Sequence, residues 1–267
     1  MTSLKAPVWT WEVPAYFFVG GVAGVAAAIA CAATLAGGDR ATIGAARAIA
    51  LFGAAVSPLL LISDLGRPGR FLYMLRVFKL RSAMSVGAWT LIVFSGATTA
   101  ALVYWIAAPA GPIVAAGLIV TDLVAATTGL VLATYTGVLL GATVLPVWAE
   151  RHRTLPIDFG VSSLGAAASA VELVAGTTEA MVRVALAAAA IKTVFWLVSL
   201  ARREPAVNRT ISRATLLAGP LALGLRLAGL AWAPAHAAAA LAALVGSGLS
   251  RFGWIEAGRA DAASMRQ

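Results

Sequence analysis

Eight stretches of this chain are each about as long and as apolar as a bilayer core is thick. They cover residues 14–36, 43–63, 85–107, 113–146, 157–177, 181–200, 213–232 and 235–252. A spanning helix needs roughly 20 predominantly apolar residues, because each residue rises about 1.5 Å through a hydrocarbon core about 30 Å thick. Breakers separate the stretches: Gly37-Gly38, the segment from Pro109 to Pro112, Pro156, Pro205 and Pro234. Alternating ten-residue segments, the mark of an outer-membrane barrel, are absent from the sequence. The reading is an all-α integral membrane protein, one membrane domain of about eight transmembrane helices. The fourth stretch is longer than one crossing requires, so it tilts or leaves the bilayer as a helix. Alanine and glycine recur throughout, and small residues let helices approach closely in lipid.

Charge fits the same picture. Only 12% of residues are charged, about half of what a soluble domain carries, so lipid must solvate much of the surface. The net charge of +9 lies between the apolar stretches and bears on orientation rather than on nucleic acid. Eight crossings put both termini on one face, side A. Side A also holds the 64–84, 147–156 and 201–212 loops. Fifteen basic residues fall there, counting Arg213 and Arg251 at helix ends. Side B has three, Arg40 with Arg47 and Arg183 near helix ends. That bias makes side A cytoplasmic, in the inner membrane of a prokaryote. The first apolar run is too long for the core of a cleavable signal peptide. The lone cysteine, Cys31, reads as a packing residue and cannot hold an iron–sulfur cluster or form an internal disulfide.

The longest polar loop reads Asp64-Leu65-Gly66-Arg67-Pro68-Gly69-Arg70-Phe71, then Met74-Leu75-Arg76-Val77-Phe78-Lys79 and Ser82-Ala83-Met84-Ser85-Val86-Gly87-Ala88-Trp89. It resembles the signature loop of the NrfD/PsrC family, the membrane subunits of polysulfide-reductase-like complexes. Trp11 to Gly24 resembles that family's first helix. Tyr135-Thr136-Gly137-Val138-Leu139-Leu140, followed by Pro146-Val147-Trp148, resembles its fourth. Arg251 to Arg259 resembles its last helix and tail. The resemblance implies a bundle of about eight helices that exchanges electrons with quinone (menaquinone or ubiquinone). It also implies a docked ferredoxin-like iron–sulfur subunit, a molybdenum or tungsten catalytic subunit beyond it, and a quinone-contacting tyrosine at Tyr135. The main catalytic centre then lies on another subunit.

The residues can be read beside that resemblance. A bis-histidine haem needs two facing imidazoles, but the two histidines, His152 and His236, fall at opposite faces, so no haem is expected. Tyr135 offers a phenol donor and a stacking ring for quinone, or packs at the interface. Glu12 begins the first helix, where a carboxylate either complements the macrodipole or serves quinone protonation. Asp64 is expected to pair with Arg67 or Arg70 and clamp the loop against a quinone slot, with Gly66, Pro68 and Gly69 fixing the turn. Arg67, Arg70, Arg76, Lys79 and Arg81 offer a basic face for an acidic partner, or serve only as anchoring charge. Asp122, Glu172, Lys192 and Arg226 fall inside apolar spans, where a charge costs at least about 2.5–3.5 kcal/mol. Two acids and two bases suggest structural pairing among the four, or a proton path linked to quinone chemistry. Two other functions fit parts of this pattern. A small-solute or ion transporter also buries charges in a helical bundle. A purely structural anchor would need no quinone site.

Overall fold

The computed structural model describes residues 9–65, 69, 73, 75–79, 82–107, 111–201 and 209–264. Eight helices among them are long and apolar enough to cross a membrane. They are α1 (Glu12–Leu35), α2 (Arg40–Asp64), α3 (Ala83–Ala107), α4 (Pro112–Gly141), α5 (Thr154–Ala175), α6 (Glu179–Ala201), α7 (Arg209–Gly229) and α8 (Pro234–Ser264). The described residues contain no strand.

The ends follow local chemistry. Asp39 caps α2, its Oδ1 accepting from Thr42 N at 2.8 Å. Hydrogen bonds from Thr42 hold the Asp39 carboxyl below the usual carboxylate range. The long fourth stretch ends as a helix at Gly141. A short connection with one separate helical turn, Pro146–Ala149, carries the chain into α5. The last helix instead runs twelve residues past the apolar stretch that ended at 252, to Ser264. Its tail is held by packing. Trp148 is fully buried and donates from Nε1 to Trp254 O at 2.9 Å. Trp9 stacks on Trp148 at 5.7 Å, and Arg259 donates to Trp9 O. The two described ends of the chain therefore lie together on side A.

Two prolines sit beyond the first turn of a span, and each has a visible compensation. Pro58 in α2 lacks the N–H that would bond Ala54 O four residues back, and Ser95 of α3 donates its hydroxyl there at 3.1 Å. Pro220 in α7 coincides with one π turn, Leu217–Leu221, which widens the helix in mid-span.

The helices form two four-helix bundles, α1–α4 and α5–α8, joined mainly through α1, α4 and α5. The α1 and α4 backbones meet at Gly24 and Gly129, where a Cβ on either glycine would collide with the other's main chain. The bundles echo each other in sequence. Pro14-Ala15-Tyr16-Phe17 and Gly20-Gly21 of α1 correspond to Pro156-Ile157-Asp158-Phe159 and Ser162-Ser163 of α5, in constant register. Corresponding residues also touch. Phe17 packs on Phe159 at 6.4 Å, and Gly21 faces Ser163. Contacts between equivalent positions are what a pseudo-two-fold axis along the membrane normal produces.

Candidate functional site

The side-A end of the first bundle gathers polar groups that packing alone does not require. Tyr16 lies one turn into α1 and is 2% exposed. Its Oη has no hydrogen-bond partner among the described residues. Ser57 of α2, fully buried, likewise has an unpartnered Oγ. Both lie against Gly20, where a Cβ would sit 3.4 Å from Ser57 Oγ and 3.5 Å from the Tyr16 ring. Tyr135 of α4 is close enough to Tyr16 to interact with it electrostatically. The Tyr135 hydroxyl end lies flush against Gly87 of α3, where any Cβ would overlap the ring. Trp89, two residues further along α3 and so turned onto a different face from Gly87, also has a buried indole N–H without a partner among the described residues, beside Phe78. Leaving a buried donor unmade costs about 1–3 kcal/mol, so such a cluster calls for an acceptor. The sequence pointed to Tyr135 alone. The repeat register, which sets Tyr16 opposite Asp158, is the signal that would have found Tyr16.

Above this cluster, α1 and α2 are tied at the membrane surface. Thr10 donates its hydroxyl to Glu12 and also to Asp64 Oδ1 at 3.0 Å, with a weaker backbone contact of 3.4 Å to the same oxygen. Two carboxylates thus share one hydroxyl at the mouth of the first bundle. Arg67, Arg70 and Arg81 lie outside the described residues, as do Gly66 and Pro68, so the expected Asp64 clamp is described here only on its Thr10 side. Arg76 and Lys79 are described and exposed. Arg76 stacks over Tyr73 at 5.2 Å, and Lys79 N donates to Ser85 Oγ at 3.0 Å. Phe78 packs edge-on against Trp89 at 6.2 Å. Tyr73, Val77 and Phe78 are each more than half exposed, giving side A an apolar patch beside two cations.

The four ionisable residues inside the spans do not pair as a closed set. Glu172 and Arg226 do meet, at 2.9 Å, with Ser169 Oγ accepting from Arg226 Nη2 at 2.8 Å. Asp122 instead receives both Nη groups of Arg47 at 2.7 Å, and Arg47 also donates to Thr34 Oγ1 at 3.0 Å. Lys192 donates from Nζ to Asp158 Oδ1 at 2.6 Å. Arg47 and Arg251, read from the sequence as anchoring charges near helix ends, are both buried. Arg47 lies about two turns inside α2, and α8 continues well beyond Arg251, so neither reaches a surface. Arg251 stacks over Phe159 at 3.7 Å and donates from Nη2 to Phe159 O at 2.8 Å and to Ser163 Oγ at 3.1 Å. The three ion pairs sit apart: Arg47–Asp122 in the first bundle, Arg226–Glu172 at the side-B end of the second, Lys192–Asp158 towards its side-A end.

A cavity of about 350 Å³ opens at the side-A end of the second bundle. Thr154 and Asp158 of α5, Phe195 and Ser199 of α6, Thr215 of α7 and Trp254 of α8 line it. His152, in the side-A connection, has its Nδ1 2.9 Å from Ala149 O, whereas the His236 ring lies against Gly229 at the side-B end. No group of three or more metal-ligating side chains occurs among the described residues.

A family model described as polysulphide reductase, NrfD, matches residues 2–256. No curated protein matches the chain significantly.

Proposed function

The chain belongs to the NrfD family of polysulphide reductase membrane proteins, and on that premise we propose that it is the quinone-facing subunit of a membrane oxidoreductase complex. The family supplies the coarse statement, a membrane subunit of oxidoreductase complexes. The observation that carries the finer one is the pair of buried, unpartnered hydroxyls at the side-A end of the first bundle, Tyr16 Oη and Ser57 Oγ, beside Tyr135. A quinone presents two carbonyl acceptors on a flat apolar ring. Phenols and a hydroxyl in apolar surroundings match those acceptors. When bound, quinone supplies two-electron redox chemistry coupled to protons.

This chain's own residues would do the rest. Tyr16 and Tyr135 orient the ring by hydrogen bonds from opposite helices, α1 and α4. The packing of α1 on α4 through Gly24 and Gly129 fixes the spacing of those two helices. Glu12 and Asp64, joined through Thr10, stand between the donor cluster and side A and are placed to hold or pass protons there. The apolar patch of Tyr73, Val77 and Phe78 with Arg76 and Lys79 is the surface offered to an iron–sulfur partner carrying acidic groups. A molybdenum or tungsten catalytic subunit is the proposed element beyond it. The basic bias of side A makes the partner cytoplasmic in this reading.

Quinol-linked turnover in native membranes tests the site. Tyr16→Phe and Tyr135→Phe each remove one hydroxyl and keep the ring. Each should lower turnover by about two- to tenfold, the worth of one hydrogen bond of about 0.5–1.5 kcal/mol. Chain abundance should not change. Unaltered quinone kinetics in both variants would dismiss this site.

A further inference from the structure

We propose that Asp158 and Lys192 form a proton-exchange site in the second bundle, loaded from side A through the cavity that ends on Asp158. The site is separate from the quinone donors in the first bundle and does not depend on them. Three observations carry it.

The first is charge. Lys192, Asp158 and Arg251 are all buried or nearly so, with side-chain exposures of 2% and 15% for the lysine and aspartate, and Arg251 fully enclosed. Arg251 interacts electrostatically with Asp158. It forms no ion pair within 4 Å among the described residues, and its Nε and Nη1 lack hydrogen-bond partners. Asp158 is paired with Lys192 while Arg251 has no carboxylate partner, so among the described residues of this cluster one buried positive charge is in excess. Of the two cations, only the lysine can release its proton, because a guanidinium does not. Loss of that proton leaves Arg251 and Asp158 as a neutral combination.

The second is access. The Arg47–Asp122 pair borders a small cavity of about 10 Å³, whereas Asp158 lines the 350 Å³ cavity. Among the described residues, Glu150 and Arg151 are the other charged groups lining it. The third is the surroundings of the lysine. A second small cavity of about 10 Å³, roughly what one water needs, borders Lys192 and Ser162. Ser162 in turn is 2.7 Å from Ser247 Oγ. The π turn of α7 brings Gly219 against the Lys192 backbone, and α7 borders that space with the small Ala218. The stepwise transfer is balanced. The Lys192 ammonium gives a proton to the Asp158 carboxylate across their 2.6 Å contact. The resulting carboxylic acid passes it to cavity water, and uptake runs the same steps in reverse.

Carbodiimides react with carboxyl groups in their protonated form, so they report a carboxylate that takes up a proton. The full-length chain in nanodiscs would be treated with a water-soluble carbodiimide, and modified acids mapped by mass spectrometry. Asp122 and Glu172, in closed pairs, serve as internal references. Asp158 should be modified many-fold more than either. Thr215→Phe fills the cavity and should suppress the modification; Ser199→Phe fills it from α6 and serves if the first variant melts early. Lys192→Met removes the alternative proton holder and should raise the modification of Asp158. Modification of Asp158 no greater than that of Asp122 and Glu172, with Glu150 modified, would overturn the proposal. So would equal modification of Asp158 in a folded cavity-filled variant, or an unchanged level in Lys192→Met.

Discussion

Arg226 is the residue whose loss should be most costly, because it is enclosed on all sides and its charge is matched, among the described residues, by Glu172 alone. Removing one partner of a buried pair strands the other charge and costs about 3–5 kcal/mol, whereas replacing both by apolar groups of similar volume is often neutral. Arg226→Met alone should therefore lower the melting temperature in detergent strongly, and Arg226→Met with Glu172→Met should recover most of the loss. If the double variant melts no higher than the single one, the pair is not the cause. The pairing also shows where sequence reading stops. Hydropathy marked Asp122, Glu172, Lys192 and Arg226 because each interrupts an apolar run. Arg47 and Asp158 escaped because they lie within about two turns of a helix start, where a charge is ordinary. Only the packed structure turns them inward.

At the scale of elements, the position and number of the spans were readable because bilayer thickness imposes them. Their ends were less so. Gly253 and Gly258 let α8 continue as a close-packed tail against Ile211 and Trp148, a contact that no local pattern announces. The duplication of α1 in α5 was legible in principle, through Pro14 and Pro156 and the phenylalanines that follow, but the matching positions carry different chemistry. Tyr16 becomes Asp158 and Gly20 becomes Ser162, so the two bundles diverge at the positions proposed to bear function. The α1–α4 contact makes a direct test. Gly129→Val places a branched side chain against the Gly24 backbone, and overpacking of this kind costs about 1–3 kcal/mol. The variant should lower thermal stability and also quinol-linked turnover, since Tyr16 and Tyr135 ride on the two helices. Normal turnover in Gly129→Val would show that their spacing does not matter.

For the whole molecule, the pseudo-two-fold arrangement assigns one side-A mouth to each bundle: unpartnered donors in the first, an open cavity with an ion pair in the second. Both face the side that carries most of the basic residues. Burial of Arg47 and Arg251 removes one charge from each side of that count and leaves the bias intact. A cysteine at the exposed Ser264, in a Cys31→Ala background, should resist an impermeant maleimide in intact cells and react after the membrane is opened. Labelling from outside would move the partner surface and both mouths to the opposite compartment.

The central claim is that this chain meets quinone. The most direct measurement is the quinone content of the complex purified from its own membrane through a tag on this chain, alongside its iron content. Stoichiometric quinone is expected in the wild-type complex, and its loss from the variant carrying Tyr16→Phe and Tyr135→Phe while the iron–sulfur partner is retained. A complex that holds its partner and its iron but carries no quinone, or holds it equally well in the double variant, would contradict it.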